Sequence, residues 1–203
     1  MQDKDPVPSR QAERSAATRA ALVDAGRRLF GDRGFAAVGT EELVRAAGVT
    51  RGALYHQFQD KAALFEAVFE SVEAAVLEAV GAEVAAAGVS DPVDALREGG
   101  RAFLDACAAP DVERIVLLDA PAVLGWERWR EIGMRYGLGI IVASLRAGME
   151  AGTVREQPVE PLAHLLAGAL DEMAMWVARS PDPPAAREQA LSAMDGLLTA
   201  LRA

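Results

Sequence analysis

Apolar positions in this 203-residue chain recur every three or four residues, and strand-type alternation is nearly absent. Leu22, Ala25, Leu29 and Phe30 fall on one face of a first helix. Gly34 is placed to end it as a left-handed cap, with Phe35 able to fold back onto the last turn. A short helix is predicted over 40–47, with Gly39 at its N-cap and Glu41 and Glu42 favourably placed in its first turn. Gly48 breaks it, and the Thr50 hydroxyl can cap a third helix of two turns, 51–58. Asp60 caps a fourth helix that starts at Lys61 and runs into the alanine-rich eighties. Residues 1–17 read as a flexible arm. Beyond the fourth helix, Pro and Gly punctuate further helices over 91–108, 111–118, 126–151, 159–179 and 184–201. No repeat of fixed period stands out, and no Gly-rich phosphate loop appears. The fold class is all-α.

Composition narrows the setting. The chain is 51% hydrophobic but only 5% aromatic, which marks it as globular rather than disordered. Its single cysteine, Cys107, excludes an internal disulfide and fits a reducing compartment. The first residues are polar, without the apolar core of a secretory signal. The longest charge-free apolar runs, 136–145 and 161–170, are about half of the roughly 20 residues that spanning a bilayer needs. A cytoplasmic protein with no membrane partner is expected. The sparse lysine beside abundant Arg, Ala and Gly hints at a GC-rich bacterial genome.

The charge is divided unevenly. Residues 1–61 carry ten Lys/Arg against eight Asp/Glu, whereas 62–203 carry eleven against twenty-two, so that the whole chain has a net charge of −9. A polyanion is tolerated by the first part and repelled by the second. Two short helices joined through Ala47-Gly48-Val49 make a helix-turn-helix, and Leu43, Ala47, Val49 and Leu54 have the spacing to form its small core. Arg51, Gly52, Ala53, Tyr55 and His56 are left facing outward. An arginine offers a bidentate fork to a guanine edge, and Gly52 and Ala53 let the backbone approach a groove closely. Tyr55 and His56 can donate to phosphates. Lys61 stands at a helix amino terminus, unfavourable for the helix dipole but well placed for an anion.

The stretches "LVDAGRRLFGDRGF" and "TEELVRAAGVTRGALYHQFQDKAALFEAVF" resemble the DNA-binding domain of the TetR family of bacterial transcriptional repressors. They carry, in order and spacing, a helix ending in Leu-Phe, a Gly-Phe turn, Ala-Gly-Val-Thr, an aliphatic-Tyr pair, Phe58 and the Lys that opens helix four. The joint match covers some fifty residues, from about Thr18 to Phe69. The resemblance implies base or groove contacts from Arg51, Gly52, Ala53 and Tyr55, and phosphate contacts from Thr40, His56 and Lys61. Thr50, at the start of the reading helix, joins this candidate DNA site. Three positions depart from the family pattern: Gly39 for a capping Thr or Ser, Val44 for a small alanine, and Gln57 for a frequent histidine. The domain division expected is an arm over 1–17, a three-helix helix-turn-helix domain over 18–60, and a larger helical ligand-binding and dimerisation domain over 61–203.

Two helical stripes in that larger part support a homodimer. Leu162, Leu166, Ala169, Met173 and Trp176 form one, and Leu191, Met194, Leu198 and Leu201 form the other. Two such helices per subunit make a four-helix interface across a two-fold axis. A short DNA-reading helix also works in pairs, on half-sites about 34–36 Å apart. Phe103, Cys107, Leu118, Trp126, Trp129, Tyr136, Met173 and Trp176 are large or polarizable residues on several helices, the kind that line an apolar pocket. Few buried polar groups are foreseen, which favours a hydrophobic or aromatic effector over a sugar or nucleotide.

Together these readings predict a repressor that binds a palindromic double-stranded operator and is released by a small-molecule effector. The alternative is a helical small-molecule-binding protein, a carrier, whose DNA-binding role is lost or minor. No cofactor or metal is expected, since His56, His164 and Cys107 are far apart in sequence. An enzyme is not expected either: two histidines and one cysteine offer no nucleophile–base pair, and no paired carboxylate spacing stands out.

Overall fold

The structure is a computed structural model that describes residues 10–203. Helix α1 (Arg10–Arg33) leads to α2 (Thr40–Ala47), α3 (Arg51–Gln57) and α4 (Lys61–Ala87). Then follow α5 (Pro92–Cys107), the short α6 (Pro110–Val112), a π-helical segment (Glu113–Asp119), α7 (Ala120–Leu124), α8 (Trp126–Glu150), α9 (Val159–Ala178) and α10 (Pro183–Ala200). The described residues contain no strand, only an isolated bridge between Val154 and Arg202. None of their helices is long and apolar enough to cross a membrane.

Residues 10–17 differ from the expected arm. Residues 10–17 are already helical, because Arg, Gln, Ala and Glu are good helix formers and tertiary contacts hold this turn. Gln57 donates from Nε2 to the Ser15 hydroxyl at 2.7 Å, and the Arg19 guanidinium lies 5.0 Å from the centroid of the Phe58 ring. Residues 1–9 of the expected arm lie outside the described residues.

The helix expected over 111–118 also differs. It runs on to Leu124 by widening into π geometry, in which the Ala120 N–H reaches the Ile115 carbonyl. Pro121 follows that wide turn in the first turn of α7, where its missing N–H and bulky ring are tolerated.

Sequence chemistry sets the ends of the reading helices. Gly48 takes φ +67°, left-handed backbone that a side chain disfavours, and caps α2 by donating to the carbonyls of Arg45 and Val44. Thr50 and Asp60 accept from Ala53 and Ala63 N–H groups at 3.2 and 2.8 Å, closing the starts of α3 and α4.

Packing is continuous across residue 60. Leu22, Phe30, Leu43, Leu54, Phe65, Val72, Ile115 and Trp129 belong to one continuous buried core. Phe30, Phe35 and Phe65 pack as a three-ring cluster, with centroids 5.2–5.7 Å apart. Each such ring pair adds about 0.5–1.5 kcal/mol to the burial itself. A second buried cluster, including Val93, Leu145, Val154, Leu166, Met194 and Leu198, closes the opposite end.

Candidate nucleic-acid interface and internal cavity

On α3, Leu54 is fully buried and holds the helix to the core, while Thr50, Arg51, Gly52, Tyr55 and His56 are exposed on its outer side. Ala53 and Thr40, the latter opening α2, are half-buried. Tyr55 is 45% exposed, and the Arg51 guanidinium sits 5.6 Å from the centroid of its ring. Arg51 also reaches Glu41 on α2 at 3.3 Å, an ion pair in open solvent that stabilises little and yields easily to a phosphate or base. The Thr50 hydroxyl accepts from the Ala53 N–H, and as a hydroxyl it retains a proton to donate.

Lys61 is less free than the sequence suggests. Its ammonium donates to the Phe35 and Val38 carbonyls at 2.9 and 3.0 Å, and lies 4.0 Å from the centroid of the Phe35 ring. Two of its three N–H donors therefore secure the turn between α1 and α2. The same turn is held from the other side. The Phe35 N–H donates to the Asp119 carboxylate at 2.6 Å, at the end of the π segment. Arg27 on α1 donates to Asp111 through Nε and Nη2 at 3.2 and 3.1 Å. At Gly31 an added Cβ falls 2.7 Å from the Asp111 Cβ, so α1 approaches this region as closely as a glycine permits.

Behind these links lies a cavity of about 230 Å³ between α4, α5, α8, α9 and the π segment. Its walls are mainly apolar: Val76 and Val80 of α4, Phe103 of α5, Leu117 of the π segment, and Trp129 and Ile141 of α8. Gly133 and Gly137, one turn apart on α8, face it, and nothing lies within 4 Å of where their Cβ atoms would stand. The missing side chains leave open volume along α8. Glu73, Arg130 and Asp171 also line the cavity. Arg130 donates to Asp171 at 3.0 Å, whereas Glu73 makes no hydrogen bond or ion pair to any described residue. Burial first, then the Asp171 charge, pushes the Glu73 carboxyl up to about 7. Burial pushes Asp171 up to about 6 against the opposing effect of Arg130.

Residues 22–68 match the family described as bacterial regulatory proteins, tetR family, and residues 93–201 match the tetracyclin repressor-like C-terminal domain. The chain belongs to the TetR family of transcriptional regulators. Among solved structures, a TetR-family regulator from Pectobacterium atrosepticum is 33% identical, with a TM-score of 0.82 over 96% of this chain and 98% of that one. The transcriptional regulator AcrR of Shigella flexneri is 40% identical over 81 residues, 40% of this chain but only 37% of that protein. RolR in complex with resorcinol shares the fold at 20% identity, with a TM-score of 0.74 over 94% of this chain and 90% of that one.

In this TetR-family chain the aromatic and sulfur residues singled out from sequence are dispersed. Phe103, Trp129 and Tyr136 line the cavity. Trp129 is fixed there by its indole N–H, which donates to the Val116 carbonyl at 2.9 Å. Cys107 and Met173 pack in or against the core outside the lining, and Leu118, Trp126 and Trp176 are exposed. The expected dimer stripes turn inward. Leu166, Met194 and Leu198 are buried in their own protomer, with Leu162, Met173 and Leu201 half-buried against them and Leu191 against the other core cluster. Ala169 is half-buried. A spacing of three and four residues marks an apolar face without saying whose core it enters. Of the stripe residues Trp176 alone faces outward, 46% exposed, and it shares the outer faces of α9 and α10 with Leu165 and Leu197, which are 61% and 42% exposed. Leu165 and Trp176 are three turns apart on the same face of α9.

Charged cavity residues were not foreseen from sequence. Glu73 interrupts the apolar stripe Phe69, Val76, Leu77 and Val80 at a position one turn from Phe69, and Asp171 likewise follows Leu166, Ala167 and Leu170. A charge inside an apolar stripe was the available signal. On α4, Phe69 and Val72 are buried in the core, so the cavity face of this helix begins at Glu73.

Proposed function

We propose that the protein is an effector-released repressor that binds a palindromic operator as a homodimer. The observation that carries this reading is the span of α4. Its first residue, Lys61, holds the turn before the helix-turn-helix, and Glu73, about 18 Å further along, lines the cavity. A second connection runs parallel: Leu117 is cavity wall, and two residues on Asp119 holds the Phe35 N–H. A molecule that prefers a differently shaped cavity moves both holds on the α1–α2 turn and so changes the spacing of paired reading helices. It lowers DNA affinity only by its differential affinity for the two arrangements.

Arg51, Gly52, Ala53 and Tyr55 are assigned to base edges, and Thr40, Thr50, His56 and the remaining donor of Lys61 to phosphates. The homodimer is assigned to the outward faces of α9 and α10 around Leu165, Trp176 and Leu197, which leave apolar surface in water. The apolar walls favour a hydrophobic or aromatic effector, and the resorcinol complex of RolR supports an aromatic one. The carrier reading draws on the occupied state of Arg51 and Lys61, both of which hold partners within the protein.

The test is DNA affinity with and without a small molecule that calorimetry and crystallography place in the cavity. Weakened DNA binding supports the coupling. Unchanged affinity at saturation overturns it.

A further inference from the structure

We propose that the effector is an organic cation, an ammonium on an aromatic or aliphatic body, whose positive centre is met by the Glu73 carboxylate. This rests on the reading of the cavity as the effector site.

The cavity holds an unbalanced set of charges. Two carboxylates, Glu73 and Asp171, face it with one guanidinium, and that guanidinium, Arg130, is already paired with Asp171. The other polar side chains of the wall, Tyr136 and Ser144, are neutral. Among the described residues Glu73 is thus left without a partner, half-buried in a mainly apolar wall, and a charge partly withdrawn from water is unfavourable unless something pairs with it. Its raised titration registers that cost. The negative field reaches the surroundings: the buried Cys107 thiol is pushed up by burial and then by Glu73 and Asp171.

Each class of occupant acts differently on this set. A neutral molecule displaces water from Glu73 and gives little back, so it raises the cost of the charge. An anion meets two carboxylates and an arginine already engaged. A cation pairs with Glu73, and the aromatic side chains of Phe103, Trp129 and Tyr136 in the same wall offer further favourable contacts to a positive nitrogen or its alkyl shell. The apolar remainder of the wall accepts the body of the molecule.

The experiment compares three probes that share one body and differ in head group: 3-phenylpropyltrimethylammonium, 3-phenylpropanol and 3-phenylpropionate. Calorimetry at pH 8 is run on the full chain and on Glu73→Gln, which keeps the side-chain shape. The proposal expects the ammonium to bind most tightly, to lose at least about tenfold in Glu73→Gln, and the alcohol to be unaffected by that substitution. If Glu73→Gln does not fold, the wild-type protein answers instead. Affinity for the quaternary ammonium, which has no proton to lose, should fall at least about fivefold from pH 8 to pH 5.5 as the cavity carboxylates take up protons. Alcohol or propionate binding without ammonium binding overturns the cation and leaves the effector site standing. Ammonium binding that neither Glu73→Gln nor pH alters also overturns the proposal. Binding of none of the three overturns the effector-site reading and this inference with it.

Discussion

Lys61 and Phe35 are joined twice: the lysine ammonium donates to the Phe35 carbonyl at 2.9 Å and lies 4.0 Å from the centroid of the Phe35 ring. This places the first residue of α4 under the turn that leads into the reading helices. Lys61→Met should leave the Phe35 and Val38 carbonyls without their charged donor and cost about 2 kcal/mol in urea unfolding. DNA affinity should fall with it. A stable variant with weakened DNA binding would instead assign Lys61 to phosphate alone.

Arg51 separates recognition from stability. Among the described residues its only ion pair is with exposed Glu41, so Arg51→Ala should leave the melting temperature within about a degree of wild type. Specific DNA affinity should drop by about 1–3 kcal/mol, with relaxed preference at one base pair. Anisotropy titrations against the preferred and substituted duplexes measure both.

Filling the cavity should uncouple it from small molecules. Gly133→Leu adds a side chain where nothing lies within 4 Å of the Cβ position and also removes a helix-weakening glycine. Thermal stability should rise, by about 1 kcal/mol from the helix propensity alone. Calorimetric binding of any cavity ligand should disappear while DNA binding persists.

The Glu73 carboxyl gives stability a pH dependence of known sign. Its folded-state titration, about 7, lies above the ordinary value of 4.5, so its contribution is fully favourable below about pH 4.5 and is lost as pH rises through 7. Glu73→Gln should stabilise the protein at pH 8 by on the order of 2 kcal/mol and have no such effect at pH 4.5. Denaturant midpoints at the two pH values decide it.

Inward and outward apolar positions should respond differently. Met194→Ala removes a buried side chain and should cost about 2–5 kcal/mol of stability. Leu165→Glu and Trp176→Glu place charge on the exposed face of α9 and should instead shift the sedimentation profile from dimer to monomer. A wild-type monomer at micromolar concentration would contradict the proposed interface.

The helix-turn-helix was legible because its determinants are local. Gly48, Thr50 and Asp60 each act within a few residues, and the structure gives them the turn and caps their chemistry demands. The start of α1 was not legible, because Ser15 and Arg19 are fixed by Gln57 and Phe58, some forty residues away. The π segment is hidden in the sequence for a different reason. Pro121 reads as a stop, and only a wider preceding turn lets the helix pass it. The cavity was half legible: Phe103, Trp129 and Tyr136 line it, but the glycines that open it and the two carboxylates within it carry no pocket signature of their own. Dimer and core stripes share one periodicity, and only the packing of α9 and α10 tells Leu165 from Leu166.

The most direct measurement is a DNA-binding titration of wild type and Tyr55→Ala, using duplexes selected from a random pool and repeated at several salt concentrations. The account predicts a tight, sequence-dependent wild-type complex whose log affinity falls linearly with log salt, with a slope of about −0.9 per phosphate contact. Tyr55→Ala, altered at an exposed position of α3, should fold normally and lose that complex. Weak binding that ignores sequence and is equal in the two proteins would contradict it.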